Sequence, residues 1–147
     1  MPIPSEIPGN HPAAEVLAAF GGLSISAVDE DADAGGEECA KGDIHFRKLH
    51  HWEHLEWGSL LRTRLIGIAD IHFAHGEWYI AQDGRIFGNS CQHDAFWLAG
   101  LTFAEAIEGL LLGRRGRPML HPDQAVVTLY GDKFTANSPE VYRYHSQ

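Results

Sequence analysis

The sequence predicts an α+β fold, an antiparallel β-meander sheet packed by amphipathic helices, and three observations carry that expectation. Residues 64–89, RLIGIADIHFAHGEWYIAQDGRIFGN, hold two turn dipeptides, His75-Gly76 and Asp83-Gly84, spaced so that three strands can pair in succession. Residues 102–113 read as a capped helix. Thr102 and Glu105 fit a capping box, in which each end of the motif satisfies an exposed backbone donor, and Phe103, Ala106, Ile107, Leu110 and Leu111 form one apolar stripe. A shorter helix precedes the meander, with Ala13, Val16, Leu17 and Phe20 at helical spacing. A sheet with an apolar face must be covered, and these helices are the expected covers.

In chain order, residues 1–10 carry three prolines and a glycine and read as an extended lead-in. The first helix follows from Pro12, tolerated in a first turn, and stops at Gly21-Gly22. Leu23, Ile25 and Ala27 then alternate with polar neighbours as a strand would. Residues 29–38, DEDADAGGEE, hold six acidic side chains and two glycines with no large apolar residue, which predicts a solvated loop. Residues 43–48 alternate again. Residues 49–61 suit an imperfect helix through Leu49, Trp52, Trp57, Leu60 and Leu61, interrupted by Gly58.

Within the meander, a two-residue loop at Asp83-Gly84 sets Ala81 opposite Ile86 and Ile80 opposite Phe87. The same treatment of His75-Gly76 sets Phe73 opposite Trp78 and Ile71 opposite Ile80. One face then collects Ile71, Phe73, Trp78, Ile80 and Phe87, while the other, with Asp70, His72, Tyr79, Ala81 and Ile86, is more polar. Residues 90–100 read as a connection. Gly113 ends the capped helix, with Arg114 and Arg115 where cations complement its dipole. Residues 125–130, AVVTLY, read as an added strand, and the last ten residues as loosely ordered. The whole is one domain over residues 1–147, with 119–147 a C-terminal extension.

Composition narrows the function. A formal net charge of −9 disfavours binding nucleic acid through its phosphates and favours either simple solubility or a basic partner. No apolar run approaches the roughly 18 residues of a membrane span, and the first residues lack the pattern of a signal peptide, so the expected location is the cytoplasm. Cys39 and Cys91 form no C-x-x-C pair, which indicates neither a disulfide framework nor a thiolate metal site.

The strongest chemical motif is His50-His51-Trp52-Glu53-His54, which fits H-x-x-E-H. On a helix His50 and His54 would share a face and could hold Zn²⁺, with Glu53 as general base and Glu105 or Glu108 as third ligand, giving a small zinc-dependent hydrolase as the alternative reading. Against it, a chain with ten histidines produces such five-residue matches easily, and the expected assignment is no metal, no cofactor and no catalytic residue. His72, His75, His93 and Cys91 invite a second cluster, but the pairing above spreads them between a sheet face and a turn. Trp52, Trp57 and Trp97 read as core, and Arg114, Arg115 and Arg117 as neighbours of a helix end.

The order helix, Gly-Gly, strand, acidic loop, meander and capped helix resembles the SUKH superfamily of immunity proteins, in particular its third subgroup. The likeness rests on HPAAEVLAAFGGLSI (residues 11–25), WYIAQDGRIFG (78–88) and LTFAEAIEGLLLG (101–113), and spans residues 10–118. It implies an α+β fold and neutralisation of a bacterial toxin, commonly a nuclease or deaminase, by binding it. A regulatory interaction module of the same fold is the third reading. The resemblance transfers no binding residue by position. The charge run supplies the candidates: Asp29, Glu30, Asp31, Asp33, Glu37 and Glu38 could occupy the cationic groove such a toxin uses for phosphate.

Overall fold

The computed structural model describes residues 8–26, 43–49, 52–71, 76–90, 95–114, 116–129 and 132–144. Helix α1, Pro12–Phe20, begins where the His11 ring accepts the Ala13 N–H at 3.0 Å and Pro12 supplies a helical φ. It ends as the Gly21 N–H donates to the Leu17 carbonyl. Strands β1 (Ser24–Ser26) and β2 (Asp43–Phe46) follow, then α2 (Leu55–Leu61), β3 (Ile66–Ile71), β4 (Gly76–Ile80), β5 (Ile86–Ser90), β6 (Phe96–Gly100), α3 (Phe103–Leu112) and β7 (Arg117–Met119). The seven strands form one antiparallel sheet in sequence order, β1 to β7, so each strand pairs with its chain neighbour even where a helix intervenes.

The α+β expectation holds, and so do α1, α3 and the three meander strands, but the register does not. Ile80 pairs with Ile86 and Tyr79 with Phe87, one residue away from the expected pairing. The physical reason is the turn. A two-residue loop of the expected type needs positive φ at both Asp83 and Gly84, and only Gly84 has it, at 95°. The chain instead closes a three-residue loop, Gln82 to Gly84, in which the Gly84 N–H donates to the Ala81 carbonyl and the Ala81 N–H to the Arg85 carbonyl. Since side chains alternate, the odd shift exchanges the faces of Ile86 and Phe87. Between β3 and β4 the shift is even: Ile71 lies opposite Gly76, and Ile66 opposite Ile80, with an irregularity between Gly67 and Ala69. Ile71, Trp78 and Ile80 therefore keep their common face. Phe73 lies outside the described residues.

Both sheet faces are buried, which corrects the expectation of a polar second face. One packs Ile44, Phe46, Ile71, Trp78, Ile80 and Ile86 against Leu17 of α1 and Ala106 and Leu110 of α3. The other packs Tyr79, Ala81, Phe87, Phe96 and Leu98 against Trp57 and Leu61 of α2 and Tyr144. Residues 96–100, expected to be a connection, are β6. Its Trp97 lies across Gly88 of β5, where a Cβ would fall 2.2 Å from the indole, so glycine there is what lets the ring lie on the sheet. Trp57 and Trp97 are core, as expected, and Trp52 packs against it.

Helix α3 is capped by Thr102, whose Oγ1 accepts the Glu105 N–H at 3.1 Å. Glu105 returns its carboxylate to the Leu101 N–H at 3.0 Å, one residue before the usual capping-box donor. Thr102→Ala is expected to cost about 1 kcal/mol, seen as a lower urea midpoint at unchanged m-value. Arg114 follows the Gly113 cap at the helix end, where its backbone N–H donates to the Gly109 carbonyl and its side chain pairs with Glu108 at 3.0 Å; Arg115 lies outside the described residues.

The C-terminal segment also differs from expectation. Residues of AVVTLY form β8 (Val126–Leu129), which pairs with β9 (Asp132–Thr135) in a separate two-stranded sheet rather than adding to the main one. Residues 140–144 beyond it are tied down: the Tyr142 N–H donates to the Pro118 carbonyl, Arg117 donates to the carbonyls of Glu140 and Val141, and the buried Tyr144 hydroxyl donates to the Leu120 carbonyl at 2.7 Å.

Candidate functional site

Asp29, Glu30, Asp31, Asp33, Glu37 and Glu38 lie outside the described residues. The strands on either side of them are described: Ser26 at the end of β1 pairs with Asp43 at the start of β2. That end of the sheet also holds the pairs Ile71–Gly76 and Gly76–Ser90.

The H-x-x-E-H reading needs a helix at residues 50–54, and the members that are described, Trp52 to His54, are not helical. Among the described members, Glu53 bridges to Ile66, the Trp52 carbonyl accepts the Gly67 N–H, and the His54 N–H donates to the Leu65 carbonyl. Helix α2 starts only at Leu55, so the i, i+4 spacing that would put two histidines on one face is lost. The Glu53 carboxylate is gripped by both arms of Arg64, at 3.0 Å each, a bidentate pair that raises the guanidinium pKa further. Glu105 and Glu108 sit on α3, against the sheet face opposite the one α2 covers. His50, His51, His72, His75, Cys91 and His93 lie outside the described residues, and among those described no three His, Cys, Asp or Glu side chains group as a metal site would require.

His54 and His11 have roles that the sequence did not signal. Each is an N-cap. His54 Nδ1 accepts the Trp57 N–H at 3.3 Å, its ring edge-on to Tyr79 and Phe96. His11 is 1% exposed; its Nδ1 accepts from Ala13, which puts the proton on Nε2, and that N–H donates to the Arg64 carbonyl at 2.8 Å. Burial lowers the pKa of both rings. For His11 the Arg64 charge adds to the effect, against the Arg64 carbonyl and Glu53. For His54 it is His121 that adds, against Glu56 and Glu77.

Two grooves flank α3. The larger, about 550 Å³, is lined by Trp78 and Trp97 and by charges of both signs, Glu105, Glu108, Arg114 and Arg117. The smaller, about 460 Å³, is framed by α1, the β4–β5 turn and the start of α3. Its walls are Val16, Phe20, Ile80 and Phe103, and among the described residues Glu15 and Asp83 are the ionisable side chains that line it. Nothing in the sequence announced it, because its walls come from three separate segments.

Taken together these features define a class, an α+β domain built on one seven-stranded antiparallel sheet with helices packed on both faces. The particular family is that of the SUKH-3 immunity proteins. Its family model matches residues 9–113, well over half of the chain, and the chain belongs to it. The match ends at Gly113, so β7 and the β8–β9 hairpin lie beyond it. No curated protein matches the chain, and no solved structure does.

Proposed function

We propose that this protein binds a cognate toxin stoichiometrically in the cytoplasm and neutralises it, that the toxin is a basic nuclease or deaminase, and that the acidic run between β1 and β2 contributes to the contact. The observation that carries the reading is family membership joined to charge: a SUKH-3 immunity protein with a net charge of −9 concentrates six carboxylates in ten residues, between two strands at the sheet's edge. An enzyme that handles nucleic acid presents cations to phosphate, and closely spaced carboxylates complement such a groove. The absence of a helix long and apolar enough to cross a membrane, among the described residues, is compatible with this.

The test neutralises Asp29, Glu30, Asp31, Asp33, Glu37 and Glu38 to Asn or Gln. The melting temperature is expected to stay within a few degrees of wild type, while association with the toxin encoded beside the gene slows and its salt dependence weakens, because charge steering acts on the on-rate and is screened beyond roughly 10 Å at 0.1 M salt. Unchanged association kinetics at low salt would remove the run from the contact. A wild-type protein that neither binds nor protects would count against immunity toward that toxin.

A further inference from the structure

We infer that the groove between α1 and α3 is a second contact surface, one that receives an apolar side chain of the toxin flanked by lysine or arginine, an inference that rests on the reading just proposed. Its apolar walls are continuous with exposed surface, since Leu101 at its lip is 51% exposed and Ala19 on α1 faces solvent. Its charged groups are all of one sign. Asp83 is held by Arg85 at 2.9 Å, but Glu15, in the first turn of α1, has neither an ion pair nor a hydrogen bond among the described residues. An unpaired carboxylate beside an apolar slot complements a cation one or two positions from the inserted residue.

The same charges argue against a second copy of this chain as occupant. Two copies would bring together their acidic rims and net charges of −9 each. The groove also lies at the end of the sheet opposite the β1–β2 connection, beside Ile80 and the turn after it. Five-residue strands put roughly 16 Å between the two ends, within the span of one partner interface. The division of labour follows from the chemistry: a charged run steers the approach, whereas a filled apolar slot holds the complex, and holding is read in the dissociation rate.

The experiment measures binding of a catalytically inactive form of the adjacent toxin domain to wild type, Ala19→Trp and Glu15→Lys. Both positions are exposed on α1, so both variants are expected to melt close to wild type. Ala19→Trp fills the slot and is expected to raise the dissociation rate on the order of tenfold with little change in association, whereas Glu15→Lys reverses its rim and is expected to raise the dissociation rate similarly and to slow association as well. Wild-type binding with both variants dissociating at the wild-type rate overturns the groove while leaving the immunity reading intact. If wild type itself does not bind, the immunity reading fails and the groove inference falls with it. Sedimentation of the chain alone gives a third outcome: a dimer that Ala19→Trp dissociates would make a second copy the occupant and overturn the inference.

Discussion

Ile80→Asp is expected to destabilise the protein severely, with a loss on the order of 5 kcal/mol. Ile80 is 2% exposed, pairs with Ile66 on one side and Ile86 on the other, and shares its core with Trp78. A carboxylate there has no partner. It must either protonate or draw water into the sheet, in addition to losing the packing of the isoleucine. Since a domain of this size has only about 5–15 kcal/mol in total, the expected readout is a urea midpoint lowered by roughly a third or more, up to loss of the cooperative transition. Ile80→Val, which removes one methyl group, is expected to cost only about 1 kcal/mol and serves as control. A wild-type urea midpoint for the aspartate variant would mean that this face of β4 is not the core.

The elements legible in the sequence are those specified by short-range chemistry. Helix α3 is announced by Thr102, Glu105 and Gly113, each acting within one turn of the chain, and α1 by Pro12 and the glycines after Phe20. The register of β4 on β5 depends on which conformation Asp83 adopts, and Asp-Gly serves both a two-residue loop and a three-residue one. One residue of slip is enough to exchange Ile86 and Phe87 between faces. Strand β6 escaped because Phe96, Trp97 and Leu98 are buried on both sides of the sheet, so no polar alternation marks them. The start of α2 was hidden by its cap, as histidine is not among the residues that usually open a helix. The α1–α3 groove is tertiary by construction, whereas the acidic run is visible as composition alone.

Those histidine caps also make stability depend on pH, and lowering the pH from 7.5 to 5.5 is expected to destabilise the protein markedly. His11 and His54 each accept a backbone N–H through Nδ1 and so must be neutral on that nitrogen in the folded chain. Protonation turns the acceptor into a donor facing another donor, and adds a positive charge to a helix N-terminus, where the helix dipole opposes it. Burial is the main cause that lowers both pKa values below 6.5 in the folded state, while in the unfolded chain the rings titrate near 6.5. Between those values the unfolded chain binds more protons, so stability rises with pH. The contribution is fully present above about 6.5 and is lost as pH falls toward the folded-state values, by up to about 1.4 kcal/mol per pH unit for each ring. Urea midpoints at pH 7.5, 6.5 and 5.5 measure it. His11→Asn keeps a good N-cap acceptor that does not titrate, but gives up the bond to the Arg64 carbonyl. It is expected to be less stable than wild type at pH 7.5 and to lose less on acidification, and His54→Asn should flatten the curve in the same direction. Wild-type stability that is level from pH 7.5 to 5.5 would sink the argument, since it would mean that protonating either ring costs the folded state nothing.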